Sequence, residues 1–220
     1  YLRRERAEAR LRGAGQGPGV KALELLLASG NAHKAQEFDE LLDPAVMKVR
    51  AAPKKLEVEE TGETYYENAL LKAKAYYEAF KLPVLADDSG VEVEYLPGEL
   101  GLFSARFGGP GLTDRQRAEF LLEKLKDVPE EKRTAAFTCV LCVYLSPDEI
   151  FFFEGKMEGR IASTYVGDHG FGYDPVFIPS KLGADGTIAQ HPEWKKQNCH
   201  RALACQHAQK FFRTSYCQAL

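Results

Sequence analysis

The chain has 220 residues, of which 45% are hydrophobic and 28% charged, with a formal net charge of -3. This is globular composition with enough residues for one good core or two small lobes, and its slight acidity argues against a protein that tracks nucleic-acid phosphates, which needs a basic excess. No apolar run approaches the roughly 18 to 20 residues of a membrane-spanning helix; the best, Ala22 to Ala28, is short and interrupted by Glu24.

Tyr1 to Arg12 holds five arginines against Glu5 and Glu8, and a glycine-rich run, Gly13 to Gly19, follows it. Residues 1–21 read as a basic extension with a flexible linker, and two acids in so short a stretch weaken a transit-peptide reading. The folded unit is expected over residues 22–212 as one two-lobed domain, with 213–220 as a tail. Leu23 to Leu27 reads as a strand, and Asn31 is placed to cap a helix carrying Phe38, Leu41 and Leu42 on one face. Val46 to Arg50 is a second short strand, followed by an acidic loop, Glu57 to Glu63. Thr64 and Glu67 form a capping-box signature that opens a long helix to about Phe80. Pro83 to Asp88 reads as a strand broken at Gly90, with alternation resuming over Val91 to Tyr95.

Pro97 to Gly111 is rich in glycine and reads as loop. Thr113 and Gln116 repeat the capping-box pattern before an amphipathic helix to Leu125. Thr134 to Leu145, Ile150 to Lys156 and Gly159 to Tyr165 are expected as antiparallel extended segments, with a turn at Ser146 to Glu149. Gly167 to Pro179 reads as a glycine-rich loop, and a last helix runs from about Cys199 to Phe212. The sum is an α/β fold: a long mixed β-sheet with flanking helices, in two lobes around a central cleft.

Five cysteines (Cys139, Cys142, Cys199, Cys205, Cys217) show no disulfide framework, which fits a reducing, cytoplasmic setting. Cys139 and Cys142 form a C-x-x-C inside a strand, where three-residue spacing turns the side chains to opposite faces, so core packing is favoured over redox or zinc chemistry.

Three loops could carry chemistry. Ser29 to Lys34 joins a strand to a helix, where unpaired N–H groups and a lysine in the first turn suit an anion, although an ordinary capped helix with a solvated lysine needs the same residues. Asp87 and Asp88 end a strand beside a glycine, which suits a cleft edge and one or two carboxylates on a magnesium ion; an Asx-type turn is the plain alternative. Gly170 to Pro175 alternates glycine with aromatics, which lets a ring lie flat against a base or merely packs a turn.

The order of Ala86-Asp87-Asp88-Ser89-Gly90, Phe103-Ser104-Ala105-Arg106, Gly170-Phe171-Gly172-Tyr173-Asp174-Pro175 and a late Lys195 with His200-Arg201 resembles the inosine triphosphate pyrophosphatase family over residues 22 to 212. That family hydrolyses nonstandard purine nucleoside triphosphates (ITP, dITP, XTP) to the monophosphate and pyrophosphate, and is usually dimeric. The resemblance implies that Ser29, Gly30, Asn31, Ala32, His33 and Lys34 hold the triphosphate. It implies a magnesium ion shared by Glu59 and Asp88, with Asp88 also the general base and Ser89 touching substrate. Phe171, Gly172, Tyr173 and Asp174 would line the nucleoside pocket, and Lys195, His200 and Arg201 would complete it. The guanidinium of Arg201 can only donate, which would favour the O6 acceptor of a 6-oxo purine. Cys199 stands where the family commonly has serine, and Leu100 where it has proline. A related enzyme of modified pyrimidine nucleotides and a nucleotide-binding regulator without hydrolysis are the rival readings; neither nucleic acid nor membrane is expected as a partner.

Overall fold

A computed structural model of the chain describes residues 22–183 and 186–216. The expected N-terminal extension over 1–21, Cys217 and the end of the expected tail lie outside these residues. Short runs with apolar residues on both faces suit central strands. Leu23–Leu27 (β1) pairs in parallel with Met47–Ala51 (β2) on one side and with Val84–Val93 (β3) on the other. Parallel neighbours need crossover helices; here these are Ala32–Leu41 (α1) and Tyr65–Phe80 (α2). From β3 the sheet turns antiparallel through Thr134–Ser146 (β4), Glu149–Ile161 (β5) and Phe177–Pro179 (β6), giving the order β2-β1-β3-β4-β5-β6.

Local signals set the helix starts. The Asn31 side chain accepts from His33 N and Lys34 N, while Thr64 with Glu67 and Thr113 with Gln116 close reciprocal capping boxes on α2 and on Asp114–Lys124 (α3). One face of the sheet packs Leu25, Leu85, Cys139 and Leu141 against Phe38 of α1 and Ala204 and Ala208 of His200–Phe211 (α5). The other packs Ala86, Val140 and Cys142 against Ala69, Ala73 and Tyr76 of α2. Cys139 and Cys142 are both buried and free, on opposite faces as the strand period requires. A third cluster joins Val91, Phe137 and Ile161 to Leu121 and Leu125 beside α3.

Four expectations are corrected. Gly90 does not break β3, which runs unbroken through Val93; a β-carbon there would fall 2.1 Å from Gly101 O, so the glycine admits the 3-10 turn Gly101–Arg106 against the strand. The segments expected from Ile150 and from Gly159 are one strand, β5, in which Gly155 lets α5 approach: a β-carbon there would fall 2.0 Å from His200 O. The loop from Gly167 ends in the 3-10 turn Asp174–Val176 and the edge strand β6. A short helix, Pro192–Asn198 (α4), precedes α5. Leu100 is buried in the third cluster with φ -110°, outside the range of the proline it replaces.

Candidate active site

Strand period sends the two adjacent aspartates of β3 to different faces. Asp87 points to the α1 and α5 side, is 2% exposed, and accepts from Lys34 Nζ at 2.8 Å and from Arg201 Nη2 at 3.2 Å. Burial alone would raise its pKa, but Lys34, Arg201 and Lys72 outweigh burial and hold the carboxyl well below its usual range. Asp88 points to the α2 side, where Lys72 Nζ lies 3.3 Å from its Oδ1 and 2.7 Å from Glu60 Oε1. Burial raises the Asp88 pKa; Lys72 opposes this and Glu60 adds to it, and the net shift is upward. Lys72 shifts upward too, since Asp87, Asp88 and Glu60 overcome its own burial, so it stays charged.

The oxygen left over matters chemically. Asp88 Oδ2 is buried with no hydrogen-bond partner, a costly state unless a ligand completes it. Glu60 is held nearby by its ion pair with Lys72, and its loop is pinned to α2 where Gly62 N donates to Asn68 Oδ1 at 2.8 Å. An oxygen pair of this kind fits magnesium, which takes one or two carboxylates and keeps water and phosphate for its other positions. No group of three or more His, Cys, Asp or Glu arranged for a metal occurs among the described residues. Glu59 is exposed, and the loop carboxylate that meets the Asp88 surroundings is its neighbour Glu60.

Next to Asp87 lies a chain of alternating charges. Arg201, 1% exposed, donates through Nη1 to Glu37 Oε2 at 2.5 Å and through Nη2 to Ser89 Oγ at 3.0 Å. Glu37 also pairs with Lys195, which donates to Asp174 Oδ2 at 2.7 Å. Burial raises the Asp174 pKa against the pull of Lys195. The same carboxylate accepts from Phe171 N at 3.0 Å, and Gly170, at φ 79°, has no room for a side chain because its β-carbon would fall 2.1 Å from Asp174 Oδ2. Gly172 N, at the far side of Phe171, donates to Asp114 Oδ2 at 2.9 Å. The Phe171 ring is stacked with His33, centroids 5.3 Å apart and planes at 13°, and Lys195 Nζ lies 4.9 Å from its centroid.

These side chains border a cavity of about 290 Å³ whose lining includes His33, Glu37, Phe171, Lys195 and Cys199. Ser29, Gly30, Asn31, Ala32 and Lys34 are not among its lining residues; Ser29 Oγ accepts from Asn31 N at 3.1 Å, and Ala32 opens α1. Tyr173 and His200 are not among the cavity's lining residues. Tyr173 is buried and donates to Ser104 O at 2.7 Å; His200 is buried flat against Phe137 at 4.6 Å, and burial together with Arg201 and Lys195 pushes it well below the usual imidazole range, so it is neutral. Cys199 caps α5, its Sγ accepting from Ala202 N at 3.4 Å. The residues that motif reading passes over are Glu37, Glu60 and Lys72. Glu37 follows Lys34 by one helical turn on α1, a usable signal; Lys72 looks like any lysine of an exposed helix face.

The mixed six-stranded sheet with flanking helices is an α/β fold in which the Phe171 ring stacks on His33 and a chain of buried ion pairs runs from Asp87 through Arg201, Glu37 and Lys195 to Asp174. The Ham1 family model matches residues 25–211, and the chain belongs to that family. It is 40% identical over 196 residues to the dITP/XTP pyrophosphatase of Oceanobacillus iheyensis, covering 87% of this chain and 98% of that protein. It is 42% identical over 183 residues to the dITP/XTP pyrophosphatase of Prochlorococcus marinus, covering 81% and 88%. Among solved structures, the Staphylococcus aureus Ham1 protein superposes with a TM-score of 0.75 at 39% identity, covering 86% of this chain and 98% of that one. A HAM1 protein from Coxiella burnetii superposes with a TM-score of 0.76 at 33% identity, covering 88% and 100%.

Proposed function

We propose that this chain hydrolyses nonstandard purine nucleoside triphosphates, ITP, dITP and XTP, to the monophosphate and pyrophosphate. The observation that carries the reading is the buried, unpartnered Asp88 Oδ2 with its raised pKa, between the Ser29 to Lys34 loop and the acidic loop. The names of the matched relatives point to the same substrates.

In this reading the Asp88 carboxylate accepts the proton of a water attacking the α-phosphorus. Lys72 stays charged on Asp88 Oδ1 and fixes which oxygen faces the water. Lys34, in the first turn of α1, stabilises the departing pyrophosphate. Magnesium, held by Asp88 and Glu60, would neutralise charge on the triphosphate when bound. Phe171 offers a ring face to the base. Base selection falls to Lys195 more than to Arg201: both terminal nitrogens of Arg201 already donate to Glu37, Asp87 and Ser89. An ammonium has three donors, two of which Lys195 spends on Glu37 and Asp174. The third suits the O6 acceptor of a 6-oxo purine and finds a donor in adenine. A homodimer in a reducing cytoplasm belongs to the same reading.

The test is pyrophosphate release over a panel of nucleotides, with and without magnesium. Release from ITP and XTP well above ATP is expected, only with the metal; release from none would favour a nucleotide-binding regulator.

A further inference from the structure

The cations around the phosphate-type loop are largely spent. Lys34 is held by Asp87, Lys72 by Glu60 and Asp88, Arg201 by Asp87 and Glu37, and Lys195 by Glu37 and Asp174. Four cations are thus tied to five carboxylates, so these side chains by themselves carry no positive surplus.

Lys55 stands apart from this network. It lies in the segment between β2 and α2, and its side chain crosses Gly30: a β-carbon built on Gly30 would fall 2.3 Å from Lys55 Cε and 3.0 Å from its Nζ. The bare backbone of Gly30 lets the lysine stem rest on the loop. The ion pair of Lys55 is with Glu57 at 3.5 Å, between side chains 62% and 93% exposed. Water and salt screen such a pair, so the ammonium loses little by exchanging it for a phosphate.

We propose that Lys55 is a further substrate-binding residue whose ammonium closes over Gly30 and holds the distal phosphate, the end that leaves as pyrophosphate. The assignment rests on the triphosphate reading above and extends it to a residue that the family resemblance leaves without a role. The distal end is indicated by position: Asp88, which must address the α-phosphorus, is buried, whereas Lys55 reaches the loop from solvent. A lysine acts on phosphate as a mobile point charge, which suits a group that must also release its product.

Lys55→Met keeps the stem and removes the charge, and Lys55→Arg restores it. In Lys55→Met the KM for ITP and the inhibition constant of inorganic tripolyphosphate should both rise about fivefold to tenfold, as for loss of one charge-assisted contact. The change should fall on KM more than on kcat, inhibition by IMP, which has no distal phosphate, should stay the same, and Lys55→Arg should recover most of the loss. Equal KM in wild type and Lys55→Met, or an equal weakening of IMP, would overturn the assignment. If the wild type releases pyrophosphate from no nucleotide, the hydrolysis reading fails by itself; calorimetric binding of tripolyphosphate to wild type and Lys55→Met then decides on Lys55, with equal affinities counting against it.

Discussion

Asp87 and Asp88 are adjacent in sequence yet occupy different electrostatic worlds: Asp87 is clamped by Lys34 and Arg201, and Asp88 keeps one buried oxygen without a partner. Their pKa values shift in opposite directions, Asp87 down through Lys34 and Arg201 and Asp88 up through burial.

Asp88→Asn keeps the shape and removes the base. Turnover of ITP should fall by about 10² to 10⁴, the usual worth of a general base, while the thermal midpoint stays near that of wild type. Near-normal kcat in a folded variant would remove Asp88 from the mechanism.

Asp87→Asn should instead act on stability. It leaves the buried Arg201 and the partly buried Lys34 beside a neutral amide, and breaking a buried pair costs about 3 to 5 kcal/mol. Because the folded pKa of Asp87 lies below the ordinary 3.8, its contribution is present above that value and disappears as pH falls through the folded pKa. Denaturant melts should therefore show a large gap between wild type and variant at neutral pH that narrows in strong acid.

In the metal-free protein the Asp88 carboxyl should titrate above the ordinary 3.8 of an aspartate, because its burial is only partly offset by Lys72. Lys72 lowers that pKa and Glu60 raises it. Lys72→Met should move that titration, read from the carboxyl NMR shift without magnesium, to higher pH and Glu60→Gln to lower pH; midpoints that coincide in all three proteins would show that neither neighbour sets it.

Cys199 caps α5 through a 3.4 Å contact from Ala202 N to sulfur. Oxygen is the better acceptor at this position, and Cys199→Ser should stabilise the protein by roughly 0.5 to 1 kcal/mol, read as a rise in Tm. Gly155→Ala should act the other way, since its β-carbon would meet the α5 backbone at 2.0 Å; forcing the helix off the sheet costs about 1 to 3 kcal/mol.

The sequence by itself determined whatever depends on neighbours along the chain. Asn31, Thr64 and Thr113 announce helix starts because a cap and its partners lie within a few residues. Cys139 and Cys142 fall on opposite faces because a strand has a period of two. Only the tertiary structure decided what depends on distant approach. Gly90 reads as a strand break and Gly155 as an ordinary strand position, and both are sites where Gly101 and α5 press against unbroken strands. Glu37 meets Arg201 across 164 residues, and Arg201 links it to Asp87 in the protein interior. Lys72 and Lys55 carry no motif; their roles come from what lies within a few ångströms, Asp88 and Glu60 for one and Gly30 for the other. Electrostatic coupling depends on separation in space and on burial, and neither is written in the local spacing of residues.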